Sequence, residues 1–71
     1  MIIVETEVSE DTLAEITALA FDCGTDAVRQ VKRSNMRDAV TAGFVQHEDA
    51  MQFKAALSMR FPRFDSWLFN S

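Results

Sequence analysis

Glycine, proline, cysteine and histidine are scarce in this chain: two glycines, one proline, one cysteine and one histidine among 71 residues, with no tyrosine. Two glycines leave little backbone for cradling phosphate, and no P-loop, dinucleotide fingerprint or hydrolase elbow occurs. Cys23, standing alone, rules out an intramolecular disulfide and a cysteine-cluster zinc site, and a lone thiol fits a reducing compartment. It also falls beside Asp22 at the expected end of a helix, where negative charge raises a thiol pKa and blunts reactivity. His47 has no second imidazole to share a metal or a proton with. Its neighbours Glu48 and Asp49 point in other directions at a helix start, which leaves it a cap or surface role. A long hydrophobic run is missing as well, and the opening Met1-Ile2-Ile3-Val4-Glu5 has no basic segment, so neither signal peptide nor membrane span is expected and the protein is read as cytoplasmic. No metal, cofactor or enzymatic activity is implied.

Basic residues are absent from the first 26 positions, which hold seven acids; the remaining 45 carry four acids against seven Lys and Arg. A segment at −7 is therefore joined to one at +3, within a net charge of −4. An acidic lobe of this kind repels nucleic acid and attracts basic surfaces over a Debye length of about 8 Å at physiological salt. The 48% hydrophobic and 25% charged content is that of a globular chain. Its length allows a single domain over 1–71 with one small core, near the size at which a partner or a homodimer becomes useful reinforcement.

The hydrophobic period changes along the chain in an informative order. Ile2, Val4, Thr6 and Val8 alternate with Ile3, Glu5 and Glu7, the two-residue period of a strand with one buried face. Ser9 offers an N-cap for a helix with Glu10 and Asp11 in its first turn, an inner stripe of Leu13, Ile16, Ala20 and Cys23, and a stop at Gly24. Residues 27–33 can be read as helix or strand; the break at Gly24 and the turn Ser34-Asn35-Met36-Arg37-Asp38 favour a strand paired with Ala39–Gln46 in a hairpin. A second helix opens at Glu48-Asp49, buries Ala50, Phe53, Leu57 and Phe61, and ends at Pro62. Phe64–Phe69 forms an aromatic last strand.

Strand, helix, strand, strand, helix, strand is the order of a ferredoxin-like βαββαβ two-layer sandwich, an α+β fold with an antiparallel sheet and two helices on one face. Right-handed crossovers place the fourth strand beside the first, the first beside the third and the third beside the second. The other sheet face is left bare, so one parity of the last strand, Trp67 and Phe69 or Phe64 and Leu68, faces solvent and invites a partner.

The run Gly43-Phe44-Val45-Gln46-His47-Glu48-Asp49-Ala50 resembles the passage from third strand to second helix in the RNA-recognition motif. That resemblance puts Ala39 and Thr41 where the family carries base-stacking aromatics, so its stacking platform is missing. Arg29, Lys32, Arg33 and Arg37 remain a basic cluster able to grip phosphates in a nucleic-acid-binding alternative. In size, acidity and lack of catalytic motifs the chain resembles the small inhibitors of phages and mobile elements, including anti-CRISPR proteins. The resemblance implies a non-enzymatic inhibitor, a nucleic-acid mimic that sets Glu5, Glu7, Glu10, Asp11 and Glu15, with Trp67 and Phe69 as anchors, against a basic protein partner. A dimerising ferredoxin-like regulatory domain is the other alternative.

Overall fold

The alternating and helical periods become, in chain order, β1 (Ile2–Glu7), α1 (Leu13–Asp22), β2 (Ala27–Val31), β3 (Ala39–Phe44), α2 (His47–Arg60) and β4 (Ser66–Asn70) in a computed structural model that describes residues 1–70. The four strands form one antiparallel sheet in the order β2-β3-β1-β4, the ferredoxin-like arrangement that two right-handed crossovers dictate. Residues 27–31 are strand, which settles the ambiguous segment.

One sheet face and the two helices enclose the core. Val4 from β1, Val40 and Phe44 from β3, Ile16 from α1, and Phe53 and Leu57 from α2 are all at most 2% exposed. Phe44 and Phe53 meet with ring centroids 5.5 Å apart and tilted by 41°. Each such large apolar side chain contributes about 1.5–3 kcal/mol by leaving water. Thr6 is the buried polar exception, and its hydroxyl is satisfied by donating to the Glu7 carbonyl at 3.1 Å. The expected stripes hold: Ile16 and Ala20 are buried with Leu13 and Cys23 packed on the core, and Ala50, Phe53 and Leu57 are buried with Phe61 beside them.

Ends differ from expectation where local bonding overrides pattern. The Ser9 side chain does not cap α1. Residues 9–12 form a turn in which the Ser9 hydroxyl donates to Asp11 at 2.5 Å and the Ser9 N–H donates to Thr12 Oγ1 at 2.9 Å, so regular helix starts at Leu13. The last strand begins at Ser66 rather than Phe64, because the Phe64 N–H donates back to the Phe61 carbonyl at 3.0 Å and holds residues 61–64 as a turn. β2 and β3 end two residues earlier than the pattern reached, at Val31 and Phe44.

Gly24 terminates α1 with φ +95°, a backbone that favours glycine. Its N–H donates to the Phe21 carbonyl and that of Thr25 to Ala20, the paired bonds of a Schellman stop. The Thr25 hydroxyl then donates to the Gly43 carbonyl at 2.6 Å, which fastens the connection to β3.

Candidate interaction surface

Strand parity decides what the helix-free sheet face carries. With Val4 and Thr6 turned into the core, Ile3, Glu5 and Glu7 of β1 turn outward. Register sets Phe69 and Trp67 of β4 opposite Ile3 and Glu5. On the other side, β3 sets Gly43, Thr41 and Ala39 opposite Ile3, Glu5 and Glu7, and β2 sets Ala27, Arg29 and Val31 beyond them. Trp67 and Phe69 are 40% and 44% exposed, so this is the parity of the last strand that meets solvent. Leu68 packs on the core from the opposite face, and Phe64, ahead of the strand, also packs on the core.

Arg33, two residues past β2, continues the outward parity of Arg29 and Val31 and lies back over the middle of the face. Its guanidinium is 3.8 Å from Glu5 Oε2 and 3.9 Å from Glu7 Oε2, and sits over the Trp67 ring at 6.0 Å from the centroid. The Arg33, Glu5 and Glu7 side chains are only 17%, 24% and 16% exposed, and Arg33 Nη2 is buried without a hydrogen bond. Nε of Arg33 donates to the Arg37 carbonyl at 2.9 Å, and Glu7 Oε1 accepts the Asp65 N–H at 2.9 Å. A partly buried charge cluster is thereby pinned at the centre, flanked by aromatic and aliphatic side chains. Met1 covers the Gly43 end, where its sulfur would lie 2.7 Å from a Cβ at that position.

The fold groups the residues singled out from sequence differently from their order in the chain. Glu5, Glu7, Trp67 and Phe69 share the open face with Arg29 and Arg33. Glu10 and Asp11 sit in the turn before α1, and Glu15 on the exposed surface of that helix. The basic cluster is dispersed: Lys32 pairs with Asp38 at 3.1 Å, Arg33 covers the glutamates, and Arg37 lies over the Phe64 ring at 5.0 Å. Asp38 is held below the ordinary carboxylate range by the Lys32 hydrogen bond and next by the Arg33 N–H. Cys23 is pushed upward, first by burial and then by Asp22 and Asp49. His47 is exposed at the first residue of α2, and no cluster of three or more His, Cys, Asp or Glu able to hold a metal occurs among the described residues. No helix among those residues is long and apolar enough to cross a membrane.

No family model matches the chain, and no curated protein matches it. Solved structures do. The ACT domain of prephenate dehydrogenase from Bacillus anthracis superposes with a TM-score of 0.71 at 17% identity, over 92% of this chain and 99% of that one. A candidate PII-like signaling protein from Thermus thermophilus superposes with a TM-score of 0.79 at 9% identity, over 99% of this chain and 84% of that one. At such identities the likeness is one of fold, and both neighbours share the βαββαβ sandwich built above.

Proposed function

We propose that this chain is a non-catalytic, ferredoxin-like regulatory module that self-associates through the open face of its sheet. The observation that carries the reading is the charge and composition of that face. Glu5, Glu7 and, by the same parity, Asp65 are set there against Arg29 and Arg33, so most of the net −4 of the chain resides elsewhere, and Trp67, Phe69, Ile3 and Val31 supply apolar surface around the charged centre. A second copy is the partner such a face suits, since two faces of mixed charge add little like-charge cost of their own at the contact. The neighbours support it by kind: one is a domain of a dehydrogenase, the other is PII-like and signaling.

The inhibitor reading, with an anti-CRISPR-like target, has no support in these comparisons. Arg33 also engages Glu5 and Glu7, which leaves Glu10, Asp11 and Glu15 as its acids without an ion pair among the described residues. The nucleic-acid alternative loses two of its cations in the same way, Lys32 to Asp38 and Arg33 to the glutamates.

Four strands about 4.8 Å apart and six residues of about 3.4 Å each give a flat footprint of roughly 400 Å². A standard interface buries about 800 Å² of accessible surface per partner, so the expected dimer lies at the small, weak end of specific interfaces. Sedimentation velocity from about 1 μM to about 1 mM should show the mass rising toward twice the monomer. Trp67→Ser/Phe69→Ser should stay monomeric, whereas Met59→Ser, on the exposed side of α2, should behave as the parent. A parent that remains monomeric throughout that range refutes the reading.

A further inference from the structure

The turn before α1, the β2–β3 hairpin and the α2–β4 connection meet around a cavity of about 520 Å³, distinct from the open sheet face. Three of the seven cations in an acidic chain line it: Arg37, Arg60 and Arg63. None of the three is ion-paired with a carboxylate of the described residues. Asp11 is the one acid on the wall, so the lining carries a net charge of +2. The Asp11 carboxyl is held below its ordinary range by the Ser9 hydroxyl first, then its own backbone N–H, with a lesser pull from Arg63.

Apart from Ser9, Thr12 and Pro62, the remaining wall is aromatic. Phe61 and Phe64 stack with centroids 6.1 Å apart and planes 13° from parallel, and the Arg37 guanidinium lies over Phe64 at 5.0 Å. Thr12 adds a hydroxyl. Guanidinium forks fit the oxygens of phosphate and carboxylate. An excess of +2 matches a phosphate monoester, which carries about −1.5 to −2 at neutral pH, better than a monocarboxylate. The volume lies within the roughly 300–1,000 Å³ of small-molecule sites.

We propose that this cavity is a binding site for a small phosphate monoester with an aromatic or planar apolar body, its phosphate held by Arg37, Arg60 and Arg63 and its body laid against Phe61 and Phe64. Asp11 opposes the phosphate and keeps affinity modest.

The probe is phenyl phosphate, titrated into the labelled protein and followed by amide chemical shifts, with inorganic phosphate and benzoate as separate arms. Saturable shifts at residues 9–12, 37 and 60–64 are expected, with phenyl phosphate binding at least about tenfold tighter than either arm because only it supplies both dianion and ring. Arg60→Gln/Arg63→Gln should weaken it by at least about tenfold, and Asp11→Asn should tighten it. No saturable shift up to about 10 mM, benzoate binding as tightly as phenyl phosphate, or affinity unchanged in the arginine variant overturns the proposal. If the arginine variant loses its dispersed spectrum, the Asp11→Asn arm decides: unchanged or weaker binding overturns it. Repeating the titration in Trp67→Ser/Phe69→Ser separates this site from self-association through the sheet.

Discussion

Arg33→Met should be strongly destabilising for a residue that is neither apolar nor deeply buried. Methionine keeps an unbranched stem against Trp67 but removes the charge lying 3.8 Å from Glu5 and 3.9 Å from Glu7. At an effective dielectric constant near 20 each contact is worth about 4 kcal/mol before desolvation is counted. Desolvation of three side chains no more than 24% exposed offsets most of that gain. What the substitution leaves is the larger concern: two carboxylates on one strand face, about 6.5–7 Å apart by strand geometry, repel with no cation between them. The net loss is about 2 kcal/mol, which for a domain of this length lowers Tm by about 8–16 °C. Calorimetry at low micromolar protein keeps association out of the measurement. Arg33→Met combined with Glu5→Gln and Glu7→Gln should return to within about 1 kcal/mol of the parent, since a cluster removed as a unit leaves no charge stranded. A single variant as stable as the parent, or a triple variant no better than the single, refutes the argument.

Gly24→Ala should cost about 1–2 kcal/mol in chemical denaturation, because φ is +95° there and a Cβ would stand 3.1 Å from Asp49 Oδ2. The lowered Asp38 value contributes stability that is present above its unfolded pKa near 3.8 and is lost as pH falls through the folded value. Asp38→Asn should therefore flatten the acid limb of the stability profile below about pH 4. The raised Cys23 thiol should react with iodoacetamide at pH 8 more slowly than free cysteine, and faster in Asp22→Asn. Equal rates for parent and variant would remove the electrostatic part of that account.

Element order was legible because each period is a direct consequence of which face is buried: alternate positions on β1, and Ala50, Phe53 and Leu57 at helical spacing on α2. The strand order followed from crossover handedness, and with it the edge position of Trp67 and Phe69. Which parity of β4 faces solvent was not legible, since both Trp67-Phe69 and Phe64-Leu68 are apolar; register against β1 decides it. The binding groups were harder still, because closeness in sequence is not closeness in space. Arg29, Lys32, Arg33 and Arg37 read as one cluster, yet strand alternation and the hairpin turn send Lys32 to Asp38 and Arg33 to glutamates 26 and 28 positions earlier. Arg37 instead shares a cavity with Arg60 and Arg63, which flank the helix stop at Pro62 and carried no pattern of their own. The continued parity from Arg29 through Val31 to Arg33 was the one available sign that Arg33 would lie over the sheet.

The response to salt separates self-association from recognition of a basic partner, because the two readings predict opposite signs. Two copies stacked sheet to sheet bring charges of −4 to centres about 20 Å apart, judged from a smallest dimension of 17 Å. In water that repulsion is about 3 kcal/mol unscreened; it falls to about half at 10 mM salt, where the Debye length is about 30 Å, and to a few tenths at 150 mM, where it is about 8 Å. The mixed-charge face of Glu5, Glu7, Asp65, Arg29 and Arg33 adds little of either sign, so dimerisation should tighten about five- to tenfold over that range. An acidic surface seated on a basic groove loses attraction over the same interval, and its affinity falls. Sedimentation equilibrium at the two salt concentrations measures the sign directly. Self-association that weakens with salt would mean that the apolar surface of the open face does not carry the contact, since an interface held by opposite charges responds that way.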